Sequence, residues 1–237
     1  MNWKDEFPKG NRYFETENGI LYCGDCLEIM KDFPQESIDL VLTDPPYGIN
    51  IDKMSFVKQG RKKYGRASAF NREFIKYEDK KIEKVYFREI FRISKNQIIW
   101  GGNYYIDYLY STRCMLVWYK RYDLPILSFA DCEIAWTSFD KNSMVFNARW
   151  SGFIRDSKEP KTKHPNQKAL EVFKWCVSEF SNEQDLILDC FLGSGTTAVA
   201  CEKLNRRWIG IEINPDYCEI AKHRILAVIE EKNKKLF

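Results

Sequence analysis

An aspartate, two prolines and a tyrosine follow one another shortly after an apolar run at 38–42. They are Asp44, Pro45, Pro46 and Tyr47. Because the prolines restrict the backbone, the Asp44 carboxylate and the Pro45 carbonyl are expected to form a rigid pair of hydrogen-bond acceptors. Such a pair can hold both hydrogens of an amino group and direct its lone pair elsewhere, while the Tyr47 ring offers a face on which a base can stack. A rigid turn with a capping aspartate is the structural alternative.

A second motif joins the apolar run 185–189 to a helix through Gly193 and Gly195. Small residues let a ligand approach the backbone, and the N–H groups at a helix N-terminus attract polar groups. Glu212 ends the next apolar run, 17 residues after Gly195, where it could accept hydrogen bonds from both hydroxyls of a ribose. The motif suits any nucleoside-bearing cofactor, and it leaves open a plain strand-to-helix turn and a nicotinamide dinucleotide.

Asp189 discriminates between these cofactors. It lies at the tip of the strand before the glycine turn, and therefore faces the crevice where parallel sheets bind ligands. A carboxylate there would repel a pyrophosphate and attract an ammonium group, such as that of a methionine moiety. The position favours S-adenosylmethionine over a dinucleotide.

The elements that must position these residues follow from the apolar pattern. Strands are predicted at 20–23, 38–42, 97–100, 115–119, 132–137, 185–189 and 208–212. Helices are predicted at 26–33, at 82–93, at 164–180, up to 204 and from 215 onward, with an irregular segment at 138–163. Strands that alternate with helices predict an α/β fold with a mostly parallel sheet.

The composition suits one domain that spans residues 1–237, with candidate DNA-recognition inserts at 49–80 and 120–163. Hydrophobic residues make up 44% of the chain, and the net charge is only +3, so any nucleic-acid binding must come from a local basic patch. The charged N-terminus and the lack of an apolar run of about 20 residues predict no signal peptide and no membrane span.

Eight cysteines lie mostly beside apolar residues, which is typical of free, buried thiols in a reducing cytoplasm. Cys23 and Cys26 form a C-x-x-C pair, but no second pair completes a zinc site. We therefore expect no metal and a cytoplasmic location.

Both motifs resemble those of the amino-group DNA methyltransferases. The run 43–48 looks like the family's catalytic motif, and the run 188–197 looks like its cofactor motif. The catalytic motif comes first, which is the circularly permuted order of the β class, and stretches at 100–104 and 129–136 are similar to phage-type members. The resemblance covers about 21–225, and it implies that the cytoplasm in question is that of a prokaryotic cell or a phage-infected host. It implies a Rossmann-like methyltransferase fold with a mixed, mostly parallel sheet and helices on both faces.

The resemblance also implies the residue roles. Catalysis falls to Asp44, Pro45, Pro46 and Tyr47. The residues implied to bind S-adenosylmethionine are Asp25, Cys26, His164, Gln167, Lys168, Asp189, Phe191, Gly193, Ser194, Gly195, Thr196 and Glu212. Within this set Lys168 could meet the methionine carboxylate, with a solvated lysine as the alternative. Cys190 departs from the family, which usually has proline there; the turn could be slightly less rigid, but Asp189 and the glycines are intact.

The implied reaction is methyl transfer to the exocyclic amino group of a DNA base that is flipped out of the duplex, within a specific short sequence. Transfer is direct, so none of the cysteines is assigned as a nucleophile. Asp44 favours adenine N6, because a serine often replaces this aspartate in cytosine N4 enzymes.

The candidate DNA-binding segment directly follows the catalytic turn. Residues 51–75 hold seven basic and two acidic residues. Those that could neutralise phosphates are Lys53, Lys58, Arg61, Lys62, Lys63 and Arg66. A solvated charged loop is the alternative. Lys120, Arg121 and Arg149 offer a second candidate surface.

Several alternatives stay open on the sequence alone. They are a cytosine N4 methyltransferase, a nicotinamide-dependent oxidoreductase, a non-catalytic DNA-binding module, and a methyltransferase that acts on RNA or protein. The oxidoreductase would explain Gly193 and Glu212 but not the Asp44 turn or Asp189. Double-stranded DNA is the expected partner, and no membrane association is expected. A homodimer and a cognate restriction endonuclease are further partners that the sequence leaves open.

Overall fold

The computed structural model describes residues 2–49, 79–120, 130–151, 154–155, 162 and 166–234. The strands in these ranges are β1 (Arg12–Glu15), β2 (Gly19–Cys23), β3 (Ile38–Thr43), β4 (Ser94–Trp100), β5 (Met115–Tyr119), β6 (Cys132–Thr137), β7 (Met144–Asn147), β8 (Trp150–Ser151), β9 (Ile154–Arg155), β10 (Leu186–Asp189) and β11 (Arg207–Glu212). The α-helices are α1 (Cys26–Met30), α2 (Lys84–Ile93), α3 (Leu170–Phe180), α4 (Thr196–Leu204) and α5 (Pro215–Lys234).

Nine of these strands form one twisted sheet in the order β1-β2-β11-β10-β3-β4-β6-β5-β7. The five from β2 to β4 in this order are parallel, whereas β1 and β6 run antiparallel to their neighbours. The remaining two, β8 and β9, form a small hairpin. A mixed, mostly parallel sheet was the prediction, and the structure confirms it.

Helices cover both faces of the sheet. Apolar residues of α3, α4 and α5 pack on one face, and those of α1 and α2 pack on the other. From β10 the chain continues to its neighbour β11, and from β3 it continues towards β4 on the opposite side. The two connections therefore run in opposite directions along the sheet and diverge between β10 and β3. Open α/β sheets bind ligands at such a point, beyond the carboxyl ends of the strands.

Three sequence predictions differ from the structure. The segment 138–163 was expected to be irregular, but β7 and the hairpin lie in it. In β7 the side chains alternate between half-buried and exposed, which suits a strand at the edge of a sheet. The helix expected from 164 begins only at Leu170, because Ala169 has an extended backbone. The polar start of the chain, where no strand was predicted, contains β1, which pairs with β2.

Within the second candidate insert, β6 and β7 belong to the main sheet, which leaves fewer of its residues available for DNA recognition.

Among the described helices, none combines the length and apolar character needed to cross a bilayer.

Candidate active site

A cavity of about 610 Å³ opens beyond the carboxyl ends of the parallel strands. The sequence-predicted residues that line it are Asp25, Cys26, Asp44, Pro46, Gln167, Lys168, Asp189, Phe191, Gly193, Ser194, Thr196 and Glu212. Gly195 lies in the same turn as Gly193, and Pro45 and Tyr47 lie in the same turn as Asp44. The structure therefore brings the two motifs to one place. His164 and the six basic residues proposed to bind DNA lie outside the described residues.

Asp189 is buried where β10 ends, beside β3. The Thr43 hydroxyl donates to its Oδ1 at 2.8 Å, the Phe191 backbone N–H donates to the same oxygen at 3.1 Å, and the Thr197 hydroxyl donates to Oδ2. Burial raises the pKa of Asp189 to about 6, although these donors favour the ionised form. The carboxyl group therefore becomes ionised only slightly below neutral pH. It can attract a cation only in this ionised form.

Glu212 occupies the end of the neighbouring strand. Its Oε2 accepts the Gly193 N–H at 2.8 Å, and its Oε1 accepts the Asn214 N–H at 2.8 Å. Burial raises the pKa of its carboxyl group. A carboxylate oxygen can accept more than one hydrogen bond, so Glu212 retains capacity for ligand hydroxyls. Asp25, by contrast, is exposed and caps α1 through its bond with the Leu27 N–H at 2.8 Å.

The glycine turn is held close to α5. Gly195 precedes α4 with φ of 86°, a left-handed conformation that favours glycine, and an added Cβ there would lie 2.9 Å from the Ala221 Cβ. Arg224 of α5 donates to the Ser194 carbonyl, and to the Ser194 hydroxyl at 2.9 Å. Helix α5 therefore holds the glycine turn in place through Arg224.

The catalytic turn is fixed by aromatic residues that follow β4. The Tyr105 hydroxyl donates to the Pro46 carbonyl, and the Tyr104 ring stacks on the Tyr47 ring with centroids 4.7 Å apart and planes 17° apart. An added Cβ at Gly101, where φ is 68°, would lie 2.0 Å from the Tyr47 ring. Glycine at 101 is therefore what allows Tyr47 to lie against this segment.

A row of alternating charges runs from the catalytic turn to β5. Lys168 Nζ lies 3.0 Å from Asp44 Oδ2 and 2.7 Å from Glu133 Oε2. Lys120 Nζ lies 2.8 Å from the other oxygen of Glu133, and the Tyr47 hydroxyl donates to Asp44 Oδ1. The sequence suggested the cofactor carboxylate as the partner of Lys168; in the structure this ammonium group is paired with two carboxylates of the protein.

The pKa shifts in this row follow from burial and charge. Burial raises the pKa of Asp44, against the opposing effect of Lys168. Burial also disfavours ionisation of Glu133, but Lys168 and Lys120 hold its pKa at about 2. For Lys168, burial is outweighed by Asp44 and Glu133, so its pKa lies well above the usual value. Lys168 and Glu133 are therefore charged at neutral pH.

Sequence reasoning missed several residues of the site. Glu133 is a charged residue inside a strand of otherwise apolar and small residues, and this was the signal that could have found it. Tyr104 belongs to a stretch that resembles the family and Tyr105 directly follows it, but no role was assigned to either residue. Lys80, Lys81, Ile82, Glu83 and Tyr86 also line the cavity, and no pattern in the sequence pointed to these residues.

The charges that line the cavity suit a cationic ligand. Five carboxylates line it (Asp25, Asp44, Glu83, Asp189 and Glu212) against three ammonium groups (Lys80, Lys81 and Lys168). This excess of two negative charges opposes a pyrophosphate and favours a ligand that carries a sulfonium and an ammonium group. The volume also lies in the range of roughly 300–1,000 Å³ that is typical of cofactor sites. In the described residues no group of three or more His, Cys, Asp or Glu side chains is placed to hold a metal.

Comparison with known proteins identifies the family. A family model described as DNA methylase, of the N6/N4 type, matches residues 74–223. The chain is 27% identical over 248 residues to the Type II methyltransferase M2.LlaDCHI of Lactococcus lactis subsp. cremoris. The aligned region covers 90% of this chain and 91% of that protein. Among solved structures it is similar to the complex of M1.HpyAVI with SAM (TM-score 0.53, 25% identity), over 86% of this chain and 98% of that one. It also has the fold of the cytosine-N4-specific PvuII DNA methyltransferase (TM-score 0.64, 18% identity), over 91% and 89% of the two chains.

The chain belongs to the N6/N4 family of DNA methylases, since the family model matches more than half of it. The predicted Rossmann-like methyltransferase fold, the amino-group DNA methyltransferase activity and the cofactor S-adenosylmethionine are confirmed at this level. The matched range includes Asp189 and Glu212, but it begins after the catalytic turn. The roles of the individual site residues therefore stay predictions.

Proposed function

We propose that this protein transfers a methyl group from S-adenosylmethionine to N6 of an adenine that is flipped out of double-stranded DNA, within a specific short sequence. The observation that carries the proposal is the hydrogen bond of 2.8 Å between Thr43 and Asp189. It joins the strand that ends in the catalytic turn to the strand that ends in the glycine turn. The target side and the cofactor side of the cavity are therefore in direct contact, as methyl transfer between two bound molecules requires.

On the cofactor side, the residues present fit S-adenosylmethionine. Ionised Asp189 would attract the ammonium group, and Glu212 would accept the ribose hydroxyls. The glycine turn offers small side chains and backbone N–H groups beside them. When bound, S-adenosylmethionine supplies the methyl group, whose bond to sulfur breaks with its electron pair retained by sulfur as the base nitrogen bonds to the carbon.

On the target side, Asp44 and the Pro45 carbonyl would accept the two hydrogens of the amino group. The nitrogen lone pair is then withdrawn from conjugation with the ring and is free to bond to carbon. The methylated nitrogen carries one proton too many, and the Asp44 carboxylate is the group placed to receive it. Asp44 therefore has to be ionised when the base arrives.

Tyr47 is the proposed stacking surface for the base. Its ring is stacked with Tyr104, which is 39% exposed, so the base would have to enter between the two rings or displace Tyr104. The exposed position of Tyr104 makes such a movement inexpensive compared with moving a buried ring.

Adenine is favoured over cytosine by Asp44, since the position is often serine in the N4 enzymes that this sequence resembles. The DNA surface would include the basic residues between Lys53 and Arg66. Its support in the structure is the hydrogen bond of 2.8 Å from the Gly48 N–H to Asp79, because these two residues flank the segment in the sequence and meet beside the catalytic turn. A homodimer and a cognate endonuclease remain proposals, as does a cytoplasmic location, where the DNA of a prokaryotic cell lies.

The experiment is transfer of a labelled methyl group from S-adenosylmethionine to unmethylated DNA, followed by digestion and nucleoside analysis. The proposal predicts label in N6-methyl-2′-deoxyadenosine. Label in N4-methyl-2′-deoxycytidine would keep the class of enzyme but reverse the choice of base. RNA or protein that accepts label while DNA does not would refute the proposed substrate.

A further inference from the structure

We propose that Lys168 is a positioning residue for methyl transfer, which keeps the Asp44 carboxylate ionised and fixed in direction, and that Glu133 in turn fixes Lys168. The inference rests on the proposed function, in which Asp44 accepts the hydrogens of the target amino group. It assigns a role on the target side of the cavity to a lysine that the sequence suggested for the cofactor.

The contacts are short and the groups are shielded. Lys168 Nζ is 3.0 Å from Asp44 Oδ2, 2.7 Å from Glu133 Oε2 and 3.3 Å from the Tyr47 hydroxyl. The side chains of Lys168, Asp44 and Glu133 are 14%, 18% and 23% exposed. Shielded pairs of this geometry are screened little by salt, and they hold their partners in one orientation.

Lys168 is the cation paired with Asp44 and favours its ionisation. Several other groups near Asp44 act against its ionisation. In the described residues the titratable groups that act on or contact Asp44 are Tyr47 from its own turn, Tyr105 after β4, Glu133 from β6, Asp189 from β10 and Lys168 before α3. Two of these are carboxylates, which disfavour a further negative charge nearby. Burial acts in the same direction and raises the pKa of Asp44, whereas Lys168 opposes it.

Ionisation of Asp44 matters because a protonated carboxyl presents a hydrogen where the target amino group needs an acceptor. The direction of the carboxylate matters because Lys168 engages Oδ2 and Tyr47 engages Oδ1, so that the remaining lone pairs face a defined point. Glu133 has two functions in this arrangement. It holds the ammonium group at 2.7 Å, and it offsets a positive charge that would oppose the charge developing on the methylated nitrogen.

The test uses two substitutions that move the acidic limb of the pH–rate profile in opposite directions. Rates of single-turnover methyl transfer to DNA are measured at saturating cofactor from pH 5 to pH 9. Lys168→Met should move the limb to higher pH, so that the rate at pH 6 relative to pH 8 falls by about tenfold, which is typical of losing one adjacent opposite charge. Glu133→Gln should move it to lower pH, because a carboxylate that disfavours ionised Asp44 is gone and Lys168 remains.

Two controls separate positioning from folding. Lys168→Arg keeps the charge and should restore the position of the limb, with a lower plateau because a guanidinium group fits the site differently. Lys174→Met removes a lysine of α3 whose pair with Glu171 is exposed, and its profile should coincide with that of the unaltered protein. Melting temperatures of all variants show which of them are folded.

Cofactor affinity, measured by calorimetry, is the second readout. The proposal predicts that Lys168→Met changes the dissociation constant for S-adenosylmethionine by less than about threefold, a difference below roughly 0.7 kcal/mol. An unmoved acidic limb together with a large loss of cofactor affinity would assign Lys168 to the cofactor carboxylate and overturn the proposal. If Lys168→Met is unfolded, an unmoved limb in Glu133→Gln overturns it instead. Failure of the unaltered protein to methylate DNA at any pH would refute the proposed function, which is a different outcome.

Discussion

Asp189 combines three hydrogen bonds with a carboxyl group that is hard to ionise. Two hydroxyls and one backbone N–H donate to it, yet burial keeps its pKa at about 6. The donors explain why the side chain is tolerated in the interior, since a buried carboxylate without them would be strongly disfavoured. A cationic ligand would place an opposite charge beside it. At the scale of single residues, the carboxyl group of Asp189 therefore suits a positively charged group of a ligand.

The first prediction concerns Asp189 and pH. Because ionised Asp189 attracts an ammonium group, and because the α-amino group of the ligand itself loses its proton near about pH 8, affinity for S-adenosylmethionine should be highest near pH 7 and fall by up to about tenfold for each pH unit below the Asp189 pKa of about 6. Asp189→Asn should weaken binding at pH 7 and remove most of the pH dependence on the acidic side. Calorimetric titration of S-adenosylmethionine between pH 5 and pH 8 measures both effects. If the substitution leaves binding and its pH dependence unchanged, Asp189 serves only to join β10 and β3.

At the scale of elements, the site depends on where the parallel strands end. The apolar runs of β3, β10 and β11 are evident in the sequence, and each is followed or ended by the acidic residue that lines the cavity. Because the ends of parallel strands meet at one edge, the sequence was sufficient to predict that Asp44, Asp189 and Glu212 lie together. Most of the helices and strands were predicted for the same reason: buried elements have periodic apolar residues.

Elements at the edges of the fold were harder to predict. In β7 the burial only alternates between half-buried and exposed residues, so its pattern does not differ clearly from that of a loop. The start of α3 was misplaced because Ala169, a good helix former, has an extended backbone in the structure. This difference matters for the site, since Lys168 lies just before the helix and reaches Asp44 and Glu133. Pairs such as these join residues that are distant in the sequence, and no local pattern specifies them.

At the scale of the whole molecule, the charge balance leaves DNA binding to local surfaces. The chain carries 37 basic and 34 acidic residues, so its overall charge gives little attraction for DNA. The excess of basic residues at 51–75 is the strongest local one that the sequence suggests, and Gly48 and Asp79, which flank the segment in the sequence, are hydrogen-bonded beside the catalytic turn. Within the second candidate region, β6 and β7 contribute to the sheet, which leaves less of it for contact with bases.

The second prediction therefore concerns this basic segment. Replacing Arg61, Lys62 and Lys63 together with glutamine should weaken DNA binding, and each lost phosphate contact should reduce the slope of log affinity against log salt by about 0.9. Affinity for S-adenosylmethionine should not change. Fluorescence anisotropy with a labelled duplex at several salt concentrations measures the slope.

A matched control removes three charges at the opposite edge of the sheet. Lys95 is the second residue of β4, Lys203 lies near the end of α4 and Arg207 begins β11, all towards the amino ends of the parallel strands. Glutamine at these three positions should leave most of the slope unchanged. Equal slopes in both triple variants would mean that residues 61–63 are a solvated face, and would direct attention to the region around Lys120.

The central claim is that one cavity has a target side at Asp44 and a cofactor side at Asp189 and Glu212. The most direct test is to measure single-turnover methyl transfer to DNA and the dissociation constant for S-adenosylmethionine on the same preparation of Asp44→Ala. The account predicts a rate reduced by about 10²–10³-fold or more, as is typical when a hydrogen bond used in the transition state is lost, with a nearly unchanged dissociation constant. Near-normal transfer, or a loss of cofactor binding as large as the loss of rate, would contradict it.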